Sequence, residues 1–124
     1  MMKHTILILF LFLSLLCHGQ SYKFFTTDRE LSSSLINKIY QDRNGMIWIA
    51  TEDGLNRYDG AKFITYKHDP ENEYSLCHNY VRVLYEDSKG RLFVGTYNGI
   101  QLYDPETDSF SARAQWEDGK TFDS

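Results

Sequence analysis

The segment Ile36 to Asp59 lines up without a gap on Val81 to Asp104, an offset of 45 residues. Seven of the 24 positions are identical: Tyr40 with Tyr85, Asp42 with Asp87, Gly45 with Gly90, Thr51 with Thr96, Gly54 with Gly99, Tyr58 with Tyr103 and Asp59 with Asp104. About one or two identities would arise by chance at ordinary residue frequencies. The apolar positions agree as well, since Ile47, Trp48, Ile49 and Leu55 face Leu92, Phe93, Val94 and Ile100, and upstream Leu31 pairs with Leu76. A chain that repeats at a fixed period builds one supersecondary unit and stacks it on its neighbour.

Each copy reads as four short strands. The first runs from Ile36 to Gln41 and from Val81 to Glu86, and the turns Asp42-Arg43-Asn44-Gly45 and Asp87-Ser88-Lys89-Gly90 follow. The second, Met46 to Ala50 and Arg91 to Gly95, is apolar on both faces, the mark of a strand between two packed layers. Glu52-Asp53-Gly54 and Tyr97-Asn98-Gly99 carry the Asp-Gly and Asn-Gly signals of a tight hairpin. Third strands are expected at Leu55 to Tyr58 and Ile100 to Tyr103, and fourth strands at Lys62 to Tyr66 and Ser109 to Arg113. Four strands at a period of about 40 to 45 residues is the arithmetic of a β-propeller blade. A β-sandwich is the rival, but it does not require the same Gly, Thr and Tyr at one fixed offset. The expected fold is all-β: two consecutive four-stranded antiparallel blades of an incomplete, seven-bladed type of propeller, with no helix longer than two turns between residues 36 and 104.

At the N-terminus, Lys3 and His4 precede an apolar run from Ile6 to Leu16, followed by Cys17, His18, Gly19 and Gln20. The run is too short for a bilayer span, which needs about 20 apolar residues, and fits the core of a secretory signal peptide cut after Gly19. The competing reading is a lipoprotein with Cys17 as the lipidated residue, against which Leu16 stands where a small residue is wanted. Cleavage removes Lys3 and moves the formal charge from −4 to −5. The chain then divides into a leader (1–19), a lead-in (20–35), a first blade (36–66), a connecting loop (67–80), a second blade (81–113) and the start of a connection to a further blade (114–124). Tyr22 to Phe25, in the lead-in, is expected as the outer strand of a closing blade. Scattered Lys and Arg in an acidic chain exclude a nucleic-acid partner, and no membrane span is expected in the mature part. Only Cys77 survives cleavage, so no internal disulfide is available in an oxidising compartment.

The residues Gln41 to Gly60 closely resemble the two-component regulator propeller repeat. Glu86 to Asp104 resemble it with Phe93 in place of the usual Trp, and Leu76 to Val81 are similar to the family's blade lead-in. The resemblance implies a large periplasmic propeller, commonly two consecutive seven-bladed ones, followed by a small β-sandwich domain, a transmembrane helix, a histidine kinase and often a response regulator with a DNA-binding domain. It also implies an oligosaccharide ligand, as in sensors of gut Bacteroidetes. A chain that stops at Ser124 carries none of the downstream parts, and two blades do not close a ring of about 4 to 8. It is therefore expected to be a fragment or truncated product whose partners are the remaining blades or another propeller-containing chain.

No enzyme, cofactor or metal site is expected. His4, His18, His68 and His78 have no second Cys/His pair with which to complete a tetrahedral site, and adjacent Cys77 and His78 would point to opposite faces of a strand. Asp42-Arg43-Asn44-Gly45 resembles a calcium loop, but Lys89 takes the place of Asn44 in the second copy. Ser32-Ser33-Ser34 lacks a nucleophile elbow. Trp48 and Phe93, mid-strand at equivalent positions, are expected to pack between blades. The repeat positions Asp42, Gly45, Trp48, Thr51, Gly54, Tyr58, Asp87, Gly90, Phe93, Thr96, Gly99 and Tyr103 are read as structural. Binding residues concentrate on loops held by a rigid scaffold, so the ligand candidates are Glu52, Asp53, Tyr97 and Asn98, where the repeat stops repeating, placed beside the segment Lys67 to Asn79.

Overall fold

The computed structural model describes residues 21–27 and 30–111. Eight strands form two antiparallel meanders. The first sheet holds β1 (Ile36–Gln41), β2 (Ile47–Thr51), β3 (Gly54–Tyr58) and β4 (Phe63–Tyr66), and the second holds β5 (Val81–Glu86), β6 (Leu92–Thr96), β7 (Gly99–Asp104) and β8 (Ser109–Phe110). Strand order follows the sequence in both, β1-β2-β3-β4 and β5-β6-β7-β8. Among the described residues there is no helix. Both sheets carry a register shift at the same repeat position, between Ile36 and Lys38 and between Val81 and Val83.

The second strands begin one residue later than the apolar pattern suggests, because Met46 and Arg91 still belong to the turns. Asp42 Oδ1 accepts from the amides of Asn44 (2.9 Å) and Met46 (3.0 Å). Asp87 Oδ1 does the same for Lys89 (3.0 Å) and Arg91 (2.8 Å). These carboxylates are spent on turn amides, which explains the repeated Asp without a metal. Likewise Lys62 closes the third turn by donating its amide to Asp59 Oδ1 (2.9 Å). The last expected strand is observed over Ser109–Phe110, and Ala112 and Arg113 lie outside the described residues, as does the leader. The expected strand Tyr22 to Phe25 is not found. A strand needs a neighbour for its backbone groups, and this segment instead holds on by side chains, with Phe25 on Tyr58 (4.9 Å) and Phe63 (4.8 Å).

Repeated polar residues form one staple per blade. Thr51 Oγ1 donates to Gly54 O (2.8 Å), accepts from the Asp53 amide (3.1 Å) and meets Ser32 Oγ (3.1 Å). Thr96 Oγ1 donates to Gly99 O (3.2 Å), accepts from the Asn98 amide (3.1 Å) and meets Cys77 Sγ (3.1 Å). Buried Asn56 and Gln101 complete the pattern by accepting from the amides of Ser32 (3.2 Å) and Cys77 (2.8 Å). Cys77 is thus the counterpart of Ser32.

The two sheets pack face against face. The front of the first blade presents Tyr40, Trp48, Ala50, Leu55 and Tyr66 to the back of the second, which supplies Val81, Leu84, Leu92, Val94, Tyr103 and Phe110. Trp48 is 1% exposed, meets Tyr103 edge-on at 4.7 Å and donates its indole N–H to Asp42 Oδ2 at 2.9 Å. Trp48 packs between the two blades.

Arg57 clasps this seam from the outer strands. Its guanidinium lies 5.7 Å from the Trp48 ring, 5.8 Å from Tyr66 and 5.9 Å from Tyr103. It donates to the Tyr103 hydroxyl and to Asp108 Oδ1 at 3.1 Å. Asp108 also accepts from Tyr66 (2.5 Å) and Tyr103 (2.7 Å), at a backbone φ of 51°. Burial by itself would raise the Asp108 carboxyl, but the two phenols and Arg57 outweigh it and hold it below the usual carboxylate range. Burial first, and then the bond to Asp108, push the Tyr103 hydroxyl up to about 12. A depressed carboxyl contributes stability above its unfolded pKa of about 3.9 and loses it as pH falls through the folded value. Asp108→Asn is therefore expected to lower stability at pH 7 by on the order of 1 kcal/mol. Thermal melts against pH check this: the gap to wild type narrows as pH falls below the unfolded carboxylate value of about 3.9 and closes once the folded carboxyl is protonated.

Candidate functional site

The β2–β3 turn, the β6–β7 turn and the β4–β5 connection come together on one face of the blade pair. The sequence diverges there because the outward residues of these turns carry no part of the staple. The Thr, Gly and buried amide below each turn hold the backbone, and the residue at the tip is left to vary, Glu52 in one copy and Tyr97 in the other.

Tyr97 is 56% exposed and lies parallel to Tyr80, with ring centroids 4.1 Å apart and an interplanar angle of 13°. The Tyr97 amide donates to Tyr80 O at 3.3 Å, which ties the β6–β7 turn to the connection. The Tyr80 hydroxyl crosses the seam to donate to Glu52 Oε1 at 3.0 Å. The neighbouring Tyr97 hydroxyl first, and the Glu52 carboxylate next, hold the Tyr80 hydroxyl above the ordinary phenol range. Around this pair stand His78, edge-on to Tyr97 at 5.8 Å, and Arg82, whose guanidinium carbon is 5.3 Å from the Tyr97 ring centre.

The four sequence candidates share this face but divide into two kinds. Glu52 and Tyr97 join the aromatic cluster. Asp53 pairs with Lys67 at 3.0 Å, an exposed bridge of little energetic weight, and Asn98 Nδ2 donates to Cys77 O at 3.2 Å. These two therefore anchor the connection to the turns. Tyr80 and Arg82 were missed. Their repeat counterparts are Leu35 and Asn37: Arg82 already diverges inside the aligned window, and extending the search one residue upstream of the strand would have marked Tyr80. The histidines have backbone tasks: His78 Nδ1 accepts from the Tyr80 amide at 2.9 Å, and His68 Nδ1 bonds to Leu76 O at 2.7 Å. Among the described residues no group of three or more His, Cys, Asp or Glu is placed to hold a metal ion.

A flat ring pair flanked by a carboxylate and a guanidinium offers stacking and in-plane hydrogen bonding to a ring-shaped polar ligand. The Tyr80 hydroxyl is held above the ordinary phenol range, the opposite of what activates a phenol as a nucleophile.

The sequence profile of the two-component regulator propeller family matches residues 30–53 and 75–98, two windows offset by the same 45 residues as the internal repeat. The two blades are similar to two-component regulator propeller repeats. The chain is 41% identical over 73 residues to Histidine kinase P4 of Formosa agariphila, an alignment that covers 56% of this chain and 5% of that protein. Among solved structures, the extracellular domain of a hybrid two-component system from B. thetaiotaomicron superposes with a TM-score of 0.64 at 34% identity, over 73% of this chain and 13% of that one. The extracellular domain of a second B. thetaiotaomicron system superposes with a TM-score of 0.63 at 22% identity, over 84% of this chain and 15% of that one, and speaks to the fold alone. The chain spans a small part of each of these relatives. Their fold is that of propeller blades in sensor domains of hybrid two-component systems, and those domains are extracellular. Among the described residues no helix is long and apolar enough to cross a membrane.

Proposed function

We propose that these blades form part of the ligand-reading face of a periplasmic two-component sensor propeller, and that the ligand is an oligosaccharide bound without being cleaved. The observation that carries this reading is the Tyr80–Tyr97 pair, stacked at 4.1 Å and bonded to Glu52 across the blade seam. It is an exposed aromatic platform with charged groups at its rim, on the face where the repeat diverges. A sugar ring presents an apolar C–H face to such a platform, and its hydroxyls bond to the carboxylate and guanidinium at the edge. Because Glu52 belongs to the first blade, Tyr97 to the second and Tyr80 to the connection between them, ligand binding bears on the seam between blades, the place where a propeller can pass a small displacement from one blade to the next.

Isothermal titration of the chain with gluco-, galacto- and arabino-oligosaccharides tests this. Saturable binding of at least one sugar is expected, weakened about tenfold or more in Tyr97→Ala, a loss of about 1.4 kcal/mol, and less in Glu52→Gln. A folded chain that binds no sugar but captures a peptide on the same face would replace this reading by that of a protein-interaction scaffold.

A further inference from the structure

The first strands of both sheets carry a β-bulge at the same repeat position, between Ile36 and Lys38 and between Val81 and Val83. A bulge re-aims the side chain of the residue left out of the ladder. In the first blade that residue is Asn37, whose Nδ2 donates to Val81 O at 2.8 Å. In the second it is the exposed Arg82, and its longer side chain carries the guanidinium carbon to 5.3 Å from the centre of the Tyr97 ring. One backbone device thus delivers a short amide to a neighbouring strand in one copy and a cation to the aromatic platform in the other.

The carboxylates on this face are engaged elsewhere. Glu52 Oε1 accepts from the Tyr80 hydroxyl at 3.0 Å, Asp53 is paired with Lys67 at 3.0 Å, and among the described residues Arg82 forms no ion pair. An aromatic ring attracts a guanidinium through its quadrupole, but it offers no lone pair, and the N–H donors are left for water or a ligand. Their forked geometry matches two oxygens of a carboxylate or of a sulfate, and such a charge-assisted bond is about twice as strong as one between neutral groups. His78 adds a donor beside the same ring. Its Nδ1 accepts from the Tyr80 amide at 2.9 Å, which leaves the ring proton on Nε2, and the imidazole stands edge-on to Tyr97 at 5.8 Å.

We propose that this site takes an acidic oligosaccharide, with a sugar ring lying against the Tyr80–Tyr97 pair and its carboxylate or sulfate held by Arg82. This rests on the pair being a sugar platform and adds the charge of the ligand. Substituents of a stacked sugar radiate from the edge of its ring, so an acidic group on a sugar seated at Tyr97 comes within reach of a guanidinium 5.3 Å from that ring's centre. Every group in the arrangement belongs to the two blades and their connection, and none is borrowed from flanking sequence.

Isothermal titration with matched ligand pairs tests the charge separately from the sugar: an oligogalacturonide against its methyl ester, and a sulfated galacto-oligosaccharide against its desulfated form. At least one acid is expected to bind about tenfold or more tightly than its neutral partner, the discrimination of one charged hydrogen-bonded contact, and the pair that shows it tells carboxylate from sulfate. Raising the salt from about 0.05 to 0.5 M is expected to shrink that preference. Arg82→Gln is expected to bring the acid and neutral forms to nearly equal affinity, and Arg82→Lys to keep part of the preference, because the charge stays and the fork is lost. Far-UV circular dichroism establishes that both variants are folded. A wild-type chain that binds sugars but shows no preference for the acid in either pair would overturn the proposal and leave the platform to neutral sugars. An acid preference that survives in Arg82→Gln would overturn it by placing the anion elsewhere. If no sugar of any charge binds, the platform itself is refuted, and this inference with it.

Discussion

Trp48→Ala is expected to remove the cooperative thermal transition of the chain. The side chain is 1% exposed and is the largest fully buried one, and it fills the seam against Tyr66 and Tyr103. Truncating a buried Trp costs about 3–5 kcal/mol, against a total of about 5–15 kcal/mol for an ordinary domain, and two blades sharing one seam lie at the low end of that range. The loss also deprives Asp42 Oδ2 of its indole donor. The second repeat shows how the same position tolerates a smaller ring. Phe93 cannot donate, and Arg91, at the position of Met46, donates Nε to Asp87 Oδ2 at 2.6 Å instead. Trp48→Phe should therefore cost less than Trp48→Ala, and the double variant Met46→Arg/Trp48→Phe should recover part of the Trp48→Phe loss. Equal melting midpoints for Trp48→Phe and the double variant would show that the indole hydrogen bond contributes little.

The pairing of Trp48 with Met46 and of Phe93 with Arg91 shows why the sequence disclosed the scaffold so fully. A repeat aligned on itself identifies every position whose task is local to one blade: the Asp that caps a turn, the Thr and Gly of the hairpin staple, the apolar residues of the seam. It could have disclosed more. Ser32 with Cys77 and Asn56 with Gln101 are also 45 residues apart, and their chemical likeness is what the staple requires. Contacts between unlike parts of the two copies remained hidden. The Arg57–Asp108 clasp depends on a β7–β8 turn without a counterpart in the first blade, and Tyr80 meets Glu52 only because the connection folds back over the seam. Tyr22 to Phe25 is without a strand here because strand pairing depends on a neighbour, and the closing blade it was expected to complete is not in this chain.

Gly54→Ala is expected to be nearly as damaging as Trp48→Ala, although the change adds only one methyl group at a turn. Gly54 closes the two-residue loop Glu52–Asp53 by pairing with Thr51, at a φ of +121°. A side chain is strained at that angle by about 1–3 kcal/mol. The added Cβ would also lie 2.9 Å from the carbonyl oxygen of Tyr66 and 3.2 Å from Ser32 Oγ. The first of these is backbone and has no rotamer to give, so relief requires moving β4 or the turn. Moving the turn breaks the 2.6 Å bond from the Gly54 amide to Asn79 O, which holds the β4–β5 connection, and shifts Glu52 away from Tyr80. Gly45→Ala is the control. Gly45 also has positive φ, +86°, but nothing lies within 4 Å of the added atom, so only the backbone preference of about 1 kcal/mol is at stake. Melting of the two variants side by side should show a loss at least twice as large for Gly54→Ala, accompanied by weaker oligosaccharide binding. Gly45→Ala should leave binding unchanged, because its turn lies at the opposite end of the strands. Equal losses at the two glycines would mean that φ alone sets the cost and that the packing of the β2–β3 turn under the connection contributes nothing.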